Sequence, residues 1–104
     1  MKAQELRIGN WVILPNGNEY KIERNDFQYI SGLSNIEDYQ PIPLTEQWLI
    51  DFGFERGVDF WFNGDVILDI SPEGLSYRFH YNIILHVHQL QNLYFALTGQ
   101  DLQL

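Results

Sequence analysis

Three histidines are the residues in this sequence best suited to metal chemistry. His80, His86 and His88 occupy even positions in a segment whose odd positions are mostly apolar. Neutral imidazole binds zinc and non-haem iron, and an i, i+2 spacing on a strand directs two rings to one side. An extended strand, however, separates His80 from His86 by about 20 Å, and Arg78 on the same side repels a cation. The histidines are candidate metal ligands only, and no metal or cofactor is predicted.

Other residues capable of catalysis occur without the spacing that catalysis needs. Asp59, Asp65 and Asp69 surround a predicted hairpin, where each has a solvated role. No serine has the strand–turn–helix context of a nucleophile elbow, no glycine-rich phosphate-binding motif occurs, and the chain has no cysteine. No catalytic residue is therefore predicted. A small-ligand or metal-dependent enzyme that uses the His86 and His88 face is the alternative function.

The charge balance disfavours direct nucleic-acid binding. Six Lys and Arg residues stand against 14 Asp and Glu residues, which gives a formal net charge of −8. Binding to a phosphate backbone depends on Lys and Arg, so this sequence has little to contact it with. The carboxylates could imitate phosphates toward a basic protein, or they could serve solubility alone. The amino terminus has no apolar run typical of a signal peptide and no segment is long enough to span a bilayer, so the sequence predicts a cytoplasmic protein without membrane association.

Aromatic residues make up 15% of the chain, more than a small core needs. Exposed Tyr and Trp side chains commonly anchor contacts between proteins. A protein partner, or a homodimer, is therefore expected. The candidate contact residues are Trp11, Trp48, Trp61, Tyr94 and Phe95.

The elements that must position these residues follow from turn and capping signals. A hairpin that reverses at 15–18 and a third strand at 26–30 are predicted within 1–30, followed by a loop over 31–45. Thr45 as N-cap and Gly53 after the last turn predict a helix over 46–53. Antiparallel strands are expected over 59–88 and a helix over 89–98, where apolar residues recur at helical spacing.

Two local predictions concern the antiparallel region. Asn63-Gly64 favours a type I′ turn, which needs positive φ at both central residues. From Leu75 to His88, apolar and aromatic residues dominate the odd positions, which indicates an extended segment with its rings inward and its imidazoles in solvent. This segment is either one strand or two strands that meet near residues 81–82.

These elements predict a single domain over 1–104 of the α+β class. Its architecture is an antiparallel β-sheet or a small SH3-like partial barrel, with two short α-helices, one central and one C-terminal. A length of 104 residues and an apolar fraction of 45% are sufficient for one core without disulfides.

Three blocks of the chain resemble a family of small uncharacterised proteins from Bacteroidetes and from their phages and prophages. The blocks are 5–12 (ELRIGNWV), 41–55 (PIPLTEQWLIDFGFE) and 87–99 (VHQLQNLYFALTG). The resemblance implies a phage or mobile-element context. The family has no established function, so no residue role follows from it. Together with the acidic and aromatic excess, it points to a non-enzymatic protein-interaction module, an accessory or anti-defence protein.

Overall fold

A computed structural model describes residues 5–24, 38–79 and 82–104. The chain, which its length predicts to be one domain, contains two compact units, Met1–Ile42 and Pro43–Leu104. The described residues form two antiparallel sheets and two α-helices, so the predicted α+β class is confirmed, with one central and one C-terminal helix. Both sheets are open, so the described strands close no barrel.

The first unit holds a three-stranded sheet. Its strands are β1 (Trp11–Ile13), β2 (Glu19–Lys21) and β3 (Gln40–Pro41), in the order β2-β1-β3. Between β1 and β2 the chain reverses at Gly17, whose φ of 90° suits a glycine and whose N–H donates to the Leu14 carbonyl at 2.8 Å. β3 lies within the segment predicted as loop. β3 is an edge strand, and an edge strand tolerates a proline because the absence of a backbone N–H there breaks no hydrogen bond to a further strand.

The core of the first unit is small and apolar. Its buried members are Leu6, Val12, Ile22 and Tyr39, with Leu14 and Tyr20 packed against them. The third strand expected over 26–30 falls outside the described residues, and β3 takes the position beside β1.

Asn10 is the buried polar residue that organises the entry into β1. It is 1% exposed, its Oδ1 accepts the Arg7 N–H at 2.7 Å, and its carbonyl accepts the Ile22 N–H at 2.8 Å. We expect Asn10→Ala to lower the free energy of unfolding by about 1–3 kcal/mol, because it removes the acceptor of a partly buried backbone N–H. Urea denaturation measures this loss.

Asn16→Ala is the matched control, since Asn16 Oδ1 accepts the Asn18 N–H in an exposed turn at 2.9 Å. Loss of that bond should change the free energy of unfolding by about 0.5 kcal/mol or less, because water replaces it. Equal effects of the two substitutions would contradict the role given to Asn10.

The second unit holds a five-stranded sheet and both helices. The elements are α1 (Glu46–Asp51), β4 (Glu55–Arg56), β5 (Phe60–Asn63), β6 (Val66–Ser71), β7 (Gly74–Tyr77), β8 (Ile83–Ile84) and α2 (Val87–Thr98). The strands have the order β4-β5-β6-β7-β8, and every neighbouring pair is antiparallel.

Capping hydrogen bonds explain where α1 and α2 begin. Thr45 Oγ1 accepts the Trp48 N–H at 3.4 Å, and Gly53 with a φ of 87° follows the last turn of α1. Gln89 Oε1 accepts the N–H groups of Leu85 and His86 at 2.9 and 3.0 Å. This contact fixes His86 as the N-cap, so α2 begins at Val87, two residues before the predicted start at 89.

The segment from Leu75 to His88 forms two antiparallel strands, which is one of the two predicted alternatives, but it does not stay extended through His88 because α2 begins at Val87. β7 ends at Tyr77 and β8 contains only Ile83 and Ile84. Leu75 pairs with Ile84, so odd positions in β7 share a face with even positions in β8. The burial pattern therefore inverts: Ile84 is buried, while Ile83 and Leu85 are exposed.

Two further predictions about this region are wrong. Phe79, expected to point inward, is 72% exposed because it follows the end of β7. The turn between β5 and β6 is made by Gly64 and Asp65, since Asn63 pairs with Val66. Gly64 has a φ of 58° and Asp65 has no positive φ, so this is not a type I′ turn.

Candidate functional site

Cross-strand register divides the five-stranded sheet into two faces. On one face, Trp61 pairs with Leu68 and Leu68 with Tyr77, and Trp61 and Leu68 are buried. On the other face, Phe62 pairs with Ile67 and Phe60 with Asp69. None of the residues on this second side is buried. We call it the outer face; it consists of Glu55, Phe60, Phe62, Ile67, Asp69, Ser76, Arg78, Ile83 and Leu85.

An ion pair lies within the outer face. Arg78 Nη2 donates to Asp69 Oδ1 at 2.9 Å and Arg78 Nε donates to the same oxygen at 3.2 Å, with both side chains 40% exposed. The Arg78 guanidinium carbon lies 5.2 Å from the centroid of the Phe60 ring. An exposed pair of this kind stabilises the fold by about 0–1 kcal/mol. Its main effect is to orient Phe60 and to neutralise both charges.

Phe60 is held from its other side by Gly57 and by Phe62. The Gly57 N–H donates to the Phe60 carbonyl at 2.8 Å, and a Cβ built on Gly57 would lie 2.6 Å from Cε2 of the Phe60 ring. The rings of Phe60 and Phe62 have centroids 5.9 Å apart. Only a residue without a side chain fits against Phe60 here, so Gly57 fixes the position of the ring.

Gly57→Ala is therefore expected to lower the free energy of unfolding by about 1–3 kcal/mol, because the added methyl group displaces the Phe60 ring. The neighbouring Val58 is 82% exposed, so Val58→Ala serves as the control and should be near neutral. Urea denaturation of the two variants measures the difference. A Gly57→Ala protein as stable as the Val58→Ala protein would show that Phe60 is not held by this contact.

Two apolar side chains extend the outer face across β7. A Cβ built on Gly74 would lie 3.2 Å from Ile83 Cγ2 and 3.5 Å from Leu85 Cδ2, so both side chains cover this glycine. Ile83 and Leu85 remain exposed. The outer face therefore presents half-buried and exposed apolar groups from β5 to the residues after β8, with the Asp69–Arg78 pair among them.

Exposed carboxylates dominate the charge of the second unit. Residues 43–104 contain eight Asp and Glu residues and two arginines. Every one of these carboxylates except that of Asp69 belongs to an exposed residue. Arg78 is paired with Asp69, and Arg56 lies over the Trp61 ring, 5.5 Å from its centroid. The second unit is thus an acidic body with an apolar sheet face.

The structure distributes the aromatic residues that the sequence suggested as contact residues. Trp61 is 5% exposed and belongs to the core, so its selection as a contact residue was wrong. Trp11 is half-buried in the first unit, and Trp48 is half-buried with its ring 5.5 Å from that of Phe52. Tyr94 and Phe95 lie on α2, Tyr94 half-buried and Phe95 exposed. None of these residues belongs to the outer face.

Phe60 and Phe62 are the aromatic residues that sequence reasoning missed. They flank Trp61 in the run Phe60-Trp61-Phe62. Neighbouring residues of a strand point to opposite faces, so these three rings cannot all be buried on one side. Selecting by residue type favoured Trp61, whereas the alternation shows only that Trp61 and the two phenylalanines lie on opposite faces of the strand.

The candidate metal ligands are only partly brought together. His80 lies outside the described residues. The rings of His86 and His88 stack with centroids 5.8 Å apart and an angle of 13°, and His88 is buried within α2 rather than facing solvent as expected. The described residues contain no group of three His, Cys, Asp or Glu side chains that could hold a metal ion.

The three hairpin carboxylates have separate surroundings. Asp69 is in the ion pair with Arg78, and Asp59 precedes β5 with a positive φ of 63°. Asp65 forms part of the β5–β6 turn and lines a cleft beside α2.

No helix among residues 5–24, 38–79 and 82–104 is long and apolar enough to cross a membrane.

Comparison with known proteins adds no family to these observations. A scan of protein-family models gave no match, and searches of curated proteins and of solved structures gave none either.

Proposed function

We propose that this protein is a non-enzymatic, acidic interaction module that docks on a basic protein through its outer face. The observation that carries the proposal is that Phe60, Phe62, Ile67, Ile83 and Leu85 share one sheet face and none of them is buried. Burying a side chain of this size against a partner contributes about 1.5–3 kcal/mol. The aromatic pair at β5 is the expected anchor of the contact.

The charge of the protein supports a basic partner over a second copy. Two chains that each carry a net charge of −8 repel one another, whereas a basic surface is attracted to a chain of this charge. Such attraction speeds association at low salt and weakens as salt screens it. A homodimer through the outer face is the competing arrangement, and sedimentation in the absence of partner distinguishes it.

The resemblance of three sequence blocks to proteins of Bacteroidetes phages and prophages supports a biological context for the proposal. In that context the module would be an accessory or anti-defence protein that occupies a basic site on a host or phage protein. Its carboxylates would take the place that phosphates take in the natural complex of that partner.

Affinity capture with matched baits tests the proposal. The wild-type protein, a Phe60→Ala variant and a Phe95→Ala variant are each used to capture proteins from host lysate at low and at high salt. A basic protein retained by the wild-type and Phe95→Ala baits, and lost from the Phe60→Ala bait and at high salt, is the expected result. A set of captured proteins that is the same for all three baits would overturn the proposal.

A further inference from the structure

The Pro43–Leu104 unit also has a cleft, whose lining does not include the residues of the outer face. The cleft has a volume of about 410 Å³ and lies between the β5–β6 turn and the end of α2. Its volume is within the range of small-molecule sites, about 300–1,000 Å³. Its lining includes Asn63, Asp65, Tyr77, Tyr94, Thr98 and Gln100.

Two tyrosines supply the aromatic lining of the cleft. Tyr77 contacts the Phe79 ring edge-on with centroids 5.6 Å apart, and Tyr94 contacts the Phe54 ring in the same way at 6.3 Å. These contacts restrict both rings, since each is packed against a neighbouring aromatic residue. Both tyrosines are half-buried, so part of each ring remains accessible to a ligand.

Asp65 is the charged residue among those that line the cleft. Its carboxylate forms no hydrogen bond or ion pair with any residue in the described part of the chain. Neither arginine of this unit lines the cleft, because Arg78 pairs with Asp69 and Arg56 lies over Trp61. The cleft therefore has a negative charge that no cationic side chain in the described part of the chain neutralises.

The other polar groups are neutral and of both hydrogen-bonding kinds. Asn63 Nδ2 donates to the Phe52 carbonyl at 3.2 Å, which fixes that amide. Thr98 Oγ1 donates to the Tyr94 carbonyl at 2.8 Å and accepts the Gln100 N–H at 3.1 Å. Gln100 and the two tyrosines are the other residues with polar groups in the lining.

We infer that this cleft binds an organic cation, an alkylammonium or guanidinium group. A carboxylate and two aromatic residues that line the same cleft attract a cation by direct charge and by cation–π contact. An anion would be repelled by the Asp65 carboxylate, and an apolar ligand would offer that carboxylate no hydrogen-bond or ionic partner. The same chemistry can come from a free polyamine or from a basic side chain of a bound protein.

The test is a titration followed by NMR and calorimetry with two probes. Spermidine represents the free amine, and N-acetyl-arginine amide represents a protein side chain. We expect at least one probe to shift the signals of Tyr94, Thr98 and Gln100 and to bind at least fivefold more weakly to an Asp65→Asn variant. The probe that binds more tightly identifies the source of the cation.

Glu73→Gln is the matched control, since Glu73 is an exposed carboxylate in the β6–β7 turn that does not line the cleft. It should bind the probe as the wild-type protein does. Equal weakening in Asp65→Asn and Glu73→Gln, or shifts spread over all acidic residues, would overturn the inference in favour of general charge attraction. Absence of binding by both probes would overturn it as well, without affecting the proposed docking through the outer face.

Discussion

Phe60→Ala is expected to weaken binding of the basic partner at least tenfold. The ring lies within the outer face, between the Arg78 guanidinium and Phe62, and it is partly exposed. Burying a phenylalanine side chain in an interface contributes about 1.5–3 kcal/mol, and about 1.4 kcal/mol corresponds to a tenfold change in affinity. Isothermal titration calorimetry with the captured partner measures the change in dissociation constant.

Phe95→Ala is the control for this prediction. Phe95 is 39% exposed on α2, so the same truncation removes an exposed ring outside the outer face. Its dissociation constant should remain within about threefold of the wild-type value, since residues at the edge of an interface or beyond it contribute little. If Phe95→Ala weakens binding as much as Phe60→Ala does, the outer face is not the contact surface.

A large loss of stability is expected when Leu68, in the core of the five-stranded sheet, is truncated. Leu68 is 0% exposed and lies in β6, the middle strand of the five-stranded sheet, between its cross-strand neighbours Trp61 and Tyr77. Leu68→Ala should lower the free energy of unfolding by about 2–5 kcal/mol, because it removes buried methyl groups and leaves a cavity. Urea denaturation followed by tryptophan fluorescence measures the loss.

A substitution at the neighbouring residue, Ile67, distinguishes an effect on partner binding from an effect on stability. Ile67 follows Val66 in the same strand but points to the outer face and is only half-buried. Ile67→Ala should cost about 1 kcal/mol or less in the free energy of unfolding and yet weaken partner binding. The reverse pattern, with Ile67→Ala more destabilising than Leu68→Ala, would mean that the two faces of the sheet have been assigned the wrong way round.

Local turn and capping chemistry predicted the start of the fold well. Gly17 in the first turn and Thr45 before α1 have the conformation and the hydrogen bond that their residue types favour. Signals of this kind act over three or four residues, so they can be read without knowledge of the tertiary structure. Together with the helical spacing of apolar residues over 89–98 and the alternation within the strands, they were sufficient to predict the α+β class and both helices.

The wrong predictions about burial after β7 and the missed strand β3 both depend on pairing between separate strands. Apolar and polar residues do alternate from Leu75 to His88, but which of them are buried depends on whether the strand continues or turns back. Because Leu75 pairs with Ile84, the buried side chain in β8 is at an even position, whereas odd positions were expected to be buried. Gln89 accepts the His86 N–H, which makes His86 the N-cap and Val87 the first residue of α2. The same limitation applies to β3, since its pairing partner β1 lies about 28 residues earlier in the chain.

The candidate site was the least predictable part for a related reason. A face can be assigned to solvent only when the register of several strands is known, and Phe60, Asp69 and Ser76 share a face through pairings across three strands. The sequence does show that the chain is acidic and rich in aromatic residues. It does not show that Trp61 is buried while the two phenylalanines beside it are not.

The most direct test of docking through the outer face is an NMR titration of protein labelled at the isoleucine δ1-methyl groups. Ile67 and Ile83 lie on the outer face, whereas Ile8 and Ile50 are exposed elsewhere on the chain. Addition of the basic partner should shift or broaden the methyl signals of Ile67 and Ile83 and leave those of Ile8 and Ile50 unchanged. Changes confined to Ile8 or Ile50, with Ile67 and Ile83 unaffected, would contradict the proposed docking surface.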